Sequence, residues 1–421
     1  MPEGNPEGKT YQPPTGGRDL LPLDVVQKRW IEDRLEEVFH RWGYHRIITS
    51  TVETMDTLMA GGAIERIEVI ELQMNQLGGQ RLGLRPELTA SIARAAVTRL
   101  ASVTYPQRLY YNANVFRRSA TGTQGGQQEY HQAGIELLGS SSMMADVEVL
   151  LLVADCLSAL DLSDTYLVLG EAALTYSLLS PFPEGQREAV RQSIAKLDCV
   201  TLSSLDLPAD LQDLSLRLMD LRGAPSEVFA KLAAFDLNEE QRAIASQLKS
   251  LIDLLNKQRE QGVKVPSVIL DLSLIRPFDY YTGVVFEVIN SAQRVGQGGR
   301  YDDLLSVYDP MPNSGGFPGI GFVLNIEQLH RALLPASQTS TQMPKETPPS
   351  DWLIVPKTET AAAAALSYAQ KARQSANVVR VEMSLDLSQS PDEVRAIARK
   401  RKINRIAWIS DRGLPDIEIV N

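Results

Sequence analysis

Cysteine, long hydrophobic runs and surplus positive charge are what this sequence has least of. Its two cysteines, Cys156 and Cys199, supply no disulfide framework, no CxxC pair and no metal-ligand spacing. Both read as ordinary buried thiols in a reducing compartment. No apolar run approaches the roughly 18 residues that span a bilayer. The opening MPEGNPEGKTYQPPTGGRD has no apolar stretch behind a basic start. A cytoplasmic chain with no membrane contact is expected. With 42 Lys and Arg against 52 Asp and Glu, the net charge is −10. That balance argues against a global electrostatic grip on nucleic acid.

What is present is apolar content of 43% over 421 residues, enough for one large core and a smaller lobe. Residues 1–17, rich in Gly and Pro, read as a flexible arm. Val26, Trp30, Leu35, Val38 and Phe39 fall at three- and four-residue spacings, which predicts an amphipathic helix over Leu23–Trp42 ended by Gly43. The β-branched run 46–53 predicts a strand, and 89–100 a helix. Strands follow at 108–116 and 127–138, then a helix over 142–160 and a buried strand at 166–170. Between about 180 and 262, charges alternate with leucines at helical spacing, which predicts a helical insertion. Strand signals return at 268–273 and 280–289, followed by a glycine-rich turn at Gly296-Gln297-Gly298-Gly299 and a strand passing into a helix over 319–334. The stretch 335–350 reads as a proline-rich linker. Beyond it, 351–421 alternates strand and helix, as a small α/β domain with a parallel sheet does.

Three segments hold polar residues suited to a ligand. In Leu84-Arg85-Pro86-Glu87-Leu88-Thr89, Glu87 precedes a helix start; Thr89 serves as a plain cap, or the pair receives a ligand ammonium. On the strand Glu129–Glu136, Gln132, Gly134 and Glu136 share one face. That face is either exposed to solvent or covered, and if covered its polar groups need partners. The third segment is Ile275-Arg276-Pro277-Phe278-Asp279-Tyr280-Tyr281.

These segments, in this order, together with Gly17-Arg18-Asp19-Leu20-Leu21-Pro22, Gly298-Gly299-Arg300-Tyr301-Asp302 and Gly319–Leu329, resemble the catalytic core of histidyl-tRNA synthetase, a class II aminoacyl-tRNA synthetase. The resemblance covers about 15–334, and more weakly 351–421. It implies an α+β fold: a class II antiparallel sheet flanked by helices over 18–334, the helical insertion, and a shortened anticodon-binding domain at 351–421. It also implies a histidine site. Glu87, Thr89 and Gln132 match the ammonium-binding residues, Glu136 and Tyr281 the imidazole partners, Arg276 the arginine of the histidine motif; Arg117 and Tyr280 complete the set.

The ATP half of that family's pattern is depleted. Arg117 remains at the start of the second motif, but Ser119, Gln128 and Gln328 stand where the family has an acidic residue and two arginines, and Ser50 replaces the first motif's proline. Adenylation needs fixed cations on the phosphates, and a neutral amide does not supply them. Pro277 and Phe278 also replace glycine and leucine beside Arg276. A synthetase-like chain of this pattern resembles the regulatory subunits of ATP phosphoribosyltransferase. That resemblance implies a non-catalytic chain without cofactor or metal, needed for the first step of histidine biosynthesis and for its feedback inhibition by L-histidine. It further implies a core self-dimer and a hetero-octamer with a short catalytic subunit. The alternatives are an active histidyl-tRNA synthetase and an amino-acid sensor for another partner. The basic cluster Arg399-Lys400-Arg401-Lys402 with Arg405 reads as a solvated helix face or as phosphate contacts.

Overall fold

The structure is a computed structural model describing residues 13–14, 16–62, 64–72, 80–118, 127–274, 280–310, 317–336, 342–375 and 379–420. Ser119, Arg276, Pro277, Phe278 and most of the arm 1–17 lie outside the described residues. The chain divides into two compact units, 1–344 and 345–421.

The first unit opens with α1 (Pro22–Arg41), β1 (His45–Arg46), β2 (Val52–Thr54), α2 (Met55–Ala60), β3 (Ile70–Leu72), β4 (Leu82–Leu84), α3 (Thr89–Thr98), β5 (Gln107–Phe116) and β6 (Glu129–Leu138). Next come α4 (Met143–Ala159), β7 (Thr165–Glu171) and α5 (Ala172–Leu179). A mainly helical stretch holds α6 (Glu184–Lys196), α7 (Cys199–Ser204), α8 (Ala209–Met219), β8 (Arg222–Gly223), α9 (Pro225–Leu232) and α10 (Glu239–Glu260). The unit closes with β9 (Ser267–Asp271), β10 (Val284–Asn290), β11 (Gln293–Arg300), α11 (Leu304–Tyr308), β12 (Gly319–Asn325) and α12 (Ile326–Ala336).

Nine strands form one sheet in the order β1-β5-β6-β12-β11-β10-β7-β9-β8, and β2-β4-β3 form a small second sheet. The long central strands pair antiparallel, from β5 through to β7. Helices α1 and α4 bury Ile31, Leu35, Val149, Leu150 and Val153 in a core with Ile135 and Leu137 of β6. Val190, Leu218, Leu248 and Leu251 of the helical stretch join the same core. An antiparallel sheet flanked by helices is therefore the observed architecture.

Several local expectations change. The buried stripe of α1 is Gln27, Ile31, Leu35, Val38 and Phe39, with Val26 and Trp30 only half-buried. Gln27 is held there because its side chain donates to Pro344 O and contacts His330. The run 46–53 is not one strand. Ile47 N still donates to Tyr110 O, but buried Arg85 takes the carbonyls of Thr49 and Ser50 at 2.9 and 3.2 Å. The chain thereby leaves the large sheet and re-enters pairing in the small one at Val52. Residues 296–299 are strand, not turn: β11 pairs with both β10 and β12. Cys156 is buried, whereas Cys199 is exposed on α7. Met343, inside the proline-rich stretch 335–350, is 2% exposed and packs in the main core.

The second unit holds β13 (Trp352–Pro356), α13 (Ala362–Arg373), β14 (Val381–Met383), α14 (Pro391–Lys400), β15 (Arg405–Ile409) and β16 (Pro415–Ile419). The sheet order is β14-β13-β15-β16, parallel except for the antiparallel edge strand β16. Ser390 and Glu393 form the capping box that starts α14. In the basic cluster, Arg401 pairs with Glu382, Lys402 pairs with Glu346, and Arg405 stacks 5.3 Å from the centre of the Trp352 ring. These cations face partners within their own unit.

Candidate functional site

Three neighbouring strands of the large sheet leave a bare strip. Glu136 of β6 lies opposite Gly321 of β12, which in turn lies opposite Gly299 of β11. A Cβ on Gly321 would strike Glu136 Oε2 and Ile135 O, and one on Gly299 would strike the Tyr281 ring. Only glycine lets these strands carry a carboxylate and a phenol ring in the same row. The result is a hollow of about 480 Å³, mouth included.

Glu136 is 2% exposed at the bottom of that hollow. Its Oε1 accepts from Thr89 Oγ1 at 2.8 Å, and its Oε2 accepts from Tyr301 OH. Burial pushes its carboxyl up to about 8; the two hydroxyl donors oppose that shift and nearby Glu87 adds to it. Glu87 accepts from the backbone N–H groups of Thr89 and Ala90 at the start of α3. The first N–H groups of this helix are therefore taken by Glu87, while the Thr89 hydroxyl lies between Glu87 and Glu136 and donates to Glu136 Oε1. Desolvation also raises Glu87, opposed by those backbone donors, the Thr89 hydroxyl and Arg117, which favour its anion. Burial keeps the phenols of Tyr111, Tyr280 and Tyr301 well above their ordinary range. All three remain hydrogen-bond donors at neutral pH.

Of the residues singled out from sequence, Glu87, Thr89, Arg117, Gln132, Glu136, Tyr280 and Tyr281 line this one hollow. Arg276 falls outside the described residues. Sequence reasoning missed Tyr111, Gln297 and Tyr301, which also line it. Tyr301 was visible as the aromatic after Gly298-Gly299-Arg300, and Tyr111 as an alternate position on β5. Neither spacing told which face would be covered. The ring centres of Tyr280 and Tyr281 lie 4.6 Å apart, and those of Tyr280 and Tyr301 5.9 Å apart, making one aromatic wall.

A second hollow adjoins the first, sharing Arg117, Gln132, Gln297 and Val323 and adding Arg294, Asn325 and Gln328. Arg117 Nε donates to Pro86 O at 2.8 Å, and Arg294 pairs with Glu287 at 3.1 Å. Gln328 N is bound by Asn325 Oδ1, and Gln128 O accepts from Arg117 N. Both guanidinium groups at this wall thus already have acceptors, and its other polar side chains are neutral amides and the Tyr130 phenol.

Among known proteins, the family model described as histidyl-tRNA synthetase matches residues 16–329. The chain is 54% identical over 412 residues to the ATP phosphoribosyltransferase regulatory subunit of Nostoc punctiforme, covering 97% of this chain and 99% of that one. It is 53% identical over 416 residues to the protein of the same name from a Cyanothece species, at 97% and 99% coverage. A solved structure from Bacillus halodurans, described as an ATP phosphoribosyltransferase regulatory subunit/histidyl-tRNA synthetase, superposes with a TM-score of 0.78 at 27% identity, covering 96% of this chain and 99% of that one. The histidyl-tRNA synthetase of a Nostoc species shares the fold, with a TM-score of 0.73 at 18% identity and 97% coverage of both chains.

Proposed function

The chain belongs to the histidyl-tRNA synthetase family and, within it, to the ATP phosphoribosyltransferase regulatory subunits; from that membership we propose that it is the histidine-sensing, non-catalytic partner of a short phosphoribosyltransferase chain. It serves the first step of histidine biosynthesis and its feedback control. The carrying observation is the meeting of two carboxylates, Glu87 and Glu136, in a hollow whose one lining cation among the described residues is Arg117. Such a hollow favours a ligand that brings positive charge and N–H donors.

L-Histidine meets that demand. Its ammonium group is assigned to Glu87, Thr89 and Gln132, and its imidazole to Glu136 and Tyr281, with Arg117, Arg276 and Tyr280 completing the site. A carboxyl near pKa 8 shares one proton with an imidazole in either order, as acid to neutral ring or as carboxylate to imidazolium. The neighbouring hollow is proposed to have lost phosphate chemistry, because Gln328, which lines it, is uncharged where the family pattern has an arginine. Preorganised cations contribute about two to three orders of magnitude each to such reactions, so adenylation is not expected.

Control then works by linkage: histidine binds one state of the assembly more tightly and shifts the population toward it. The assembly is proposed to be a hetero-octamer in the cytoplasm, built on a self-dimer of the synthetase-like core. An Ile48 side chain 82% exposed between β1 and β2 supports dimerisation along that edge. No helix among the described residues is long and apolar enough to cross a membrane. Purifying the chain with a short catalytic subunit, and assaying both phosphoribosyl transfer and histidine-dependent ATP–pyrophosphate exchange, tests this reading. Transfer activity that requires this chain, with no exchange, is expected. Robust exchange by this chain alone would overturn it.

A further inference from the structure

We propose that the hollow of Glu87 and Glu136 is a proton-linked sensor. Resting on the assignment of L-histidine to it, the Glu136 carboxyl and the ligand imidazole share a single proton in the complex, so that acid and alkali both weaken binding.

The partners of the two carboxyls set them apart. An N–H group can serve only an anion, whereas a hydroxyl serves an anion by donating and an acid by accepting. Glu87 takes the backbone N–H groups of Thr89 and Ala90, which suits it to the charged form. The Glu136 carboxyl takes hydroxyls alone among the described residues, those of Thr89 and Tyr301. A proton can therefore come and go on Oε2, turned toward the Tyr301 oxygen, while Thr89 keeps donating to Oε1.

The surroundings favour the protonated form. Glu136 is 2% exposed and has no ion-pair partner among the described residues. The titratable groups around it are Glu87 beside α3, Tyr111 of β5, Arg117 past the end of β5, and Tyr280, Tyr281 and Tyr301; β12 brings only Gly321 opposite. Of these, Arg117 steadies the Glu87 anion, and the charge on Glu87 disfavours a second one on Glu136. Tyr44, which follows α1, donates to Glu148 and brings no positive charge. Burial pushes the Glu136 carboxyl up to about 8, in keeping with this arrangement.

Proton accounting then gives the course with pH. A free imidazole gains its own proton below about 6.5. Between there and about 8 the empty hollow brings one proton, the ring brings none and the complex keeps one, so binding is flat. Below that window the ring brings a second proton, which has to leave. Above it neither partner brings one, and the complex takes one up from water. Affinity falls by up to about tenfold per pH unit on each side, and feedback inhibition relaxes with it.

The test is calorimetric titration of the full-length chain with L-histidine at about pH 7.2 and about pH 8.5, each in two buffers of different ionisation enthalpy. Wild type is expected to take up roughly half a proton or more per histidine at the higher pH and close to none at the lower. Glu136→Gln is expected to lose most of that uptake. Tyr301→Phe removes a donor that favours the carboxylate, so it is expected to move the alkaline fall of affinity to higher pH. That variant decides the matter where Glu136→Gln binds too weakly to titrate. Histidine binding without proton uptake at the higher pH overturns the proposal and leaves the sensor reading standing. So does equal uptake in Glu136→Gln, or an alkaline fall unmoved by Tyr301→Phe. Absence of histidine binding at both pH values overturns the sensor reading itself, and the proposal with it.

Discussion

Thr89 Oγ1 donates to Glu136 Oε1 at 2.8 Å, so the first residue of α3 is latched to the middle of β6. Tyr301 holds the other oxygen, and one carboxyl therefore senses three elements at once. Removing the latch with Thr89→Val is expected to weaken histidine binding about tenfold, within the range for a hydrogen bond to an ionisable partner. Calorimetric titration of the purified chain measures it, and unchanged affinity would separate Thr89 from the site.

Glu136 also gives the fold a pH dependence of known sign. Its carboxyl is near 8 when folded and near 4.5 when unfolded. Between those values the unfolded chain has released a proton that the folded chain retains, so this group's contribution falls as pH rises. Glu136→Gln removes the effect. Relative to wild type, the variant is expected to gain stability from pH 5 to pH 8, at up to about 1.4 kcal/mol per pH unit. Urea unfolding at both pH values reads this out; parallel curves would contradict the buried, protonated carboxyl.

The glycine opposite that carboxyl is a steric requirement. Gly321→Ala places a methyl against Glu136 Oε2 and Ile135 O, both inside the sheet. A cost of about 1–3 kcal/mol is expected from overpacking, together with loss of histidine binding. Thermal melting and calorimetry on one preparation check both.

Arg300 is 6% exposed and depends on Asp146 for two of its hydrogen bonds. Asp146→Ala leaves that guanidinium only Asp302 and Ser140 O as close acceptors and is expected to destabilise the unit by about 1–3 kcal/mol. The paired change Asp146→Leu with Arg300→Met should recover most of the loss, because an apolar pair carries no desolvation cost. Denaturant midpoints of the three variants decide it.

The architecture was largely legible because long periodic segments dominate it. The helix around Ile31, Leu35 and Phe39 and the strand carrying Gln132, Gly134 and Glu136 are set by local pattern. The split of 46–53 was not legible, since it depends on Arg85, some 35 residues away, taking two carbonyls. Gly296–Gly299 looked like a turn because glycine usually signals one. Here its small size serves close packing beneath Tyr281. In the hollow, seven residues chosen from the sequence line one wall, while Tyr111 and Tyr301 required knowledge of which strand faces are covered.

The most direct measurement is the histidine inhibition curve of the reconstituted phosphoribosyltransferase assembly, with wild-type chain and with Glu136→Ala. Half-inhibition is expected to move to at least about tenfold higher histidine in the variant, with uninhibited activity retained. Superimposable curves would contradict the assignment of this hollow as the sensor.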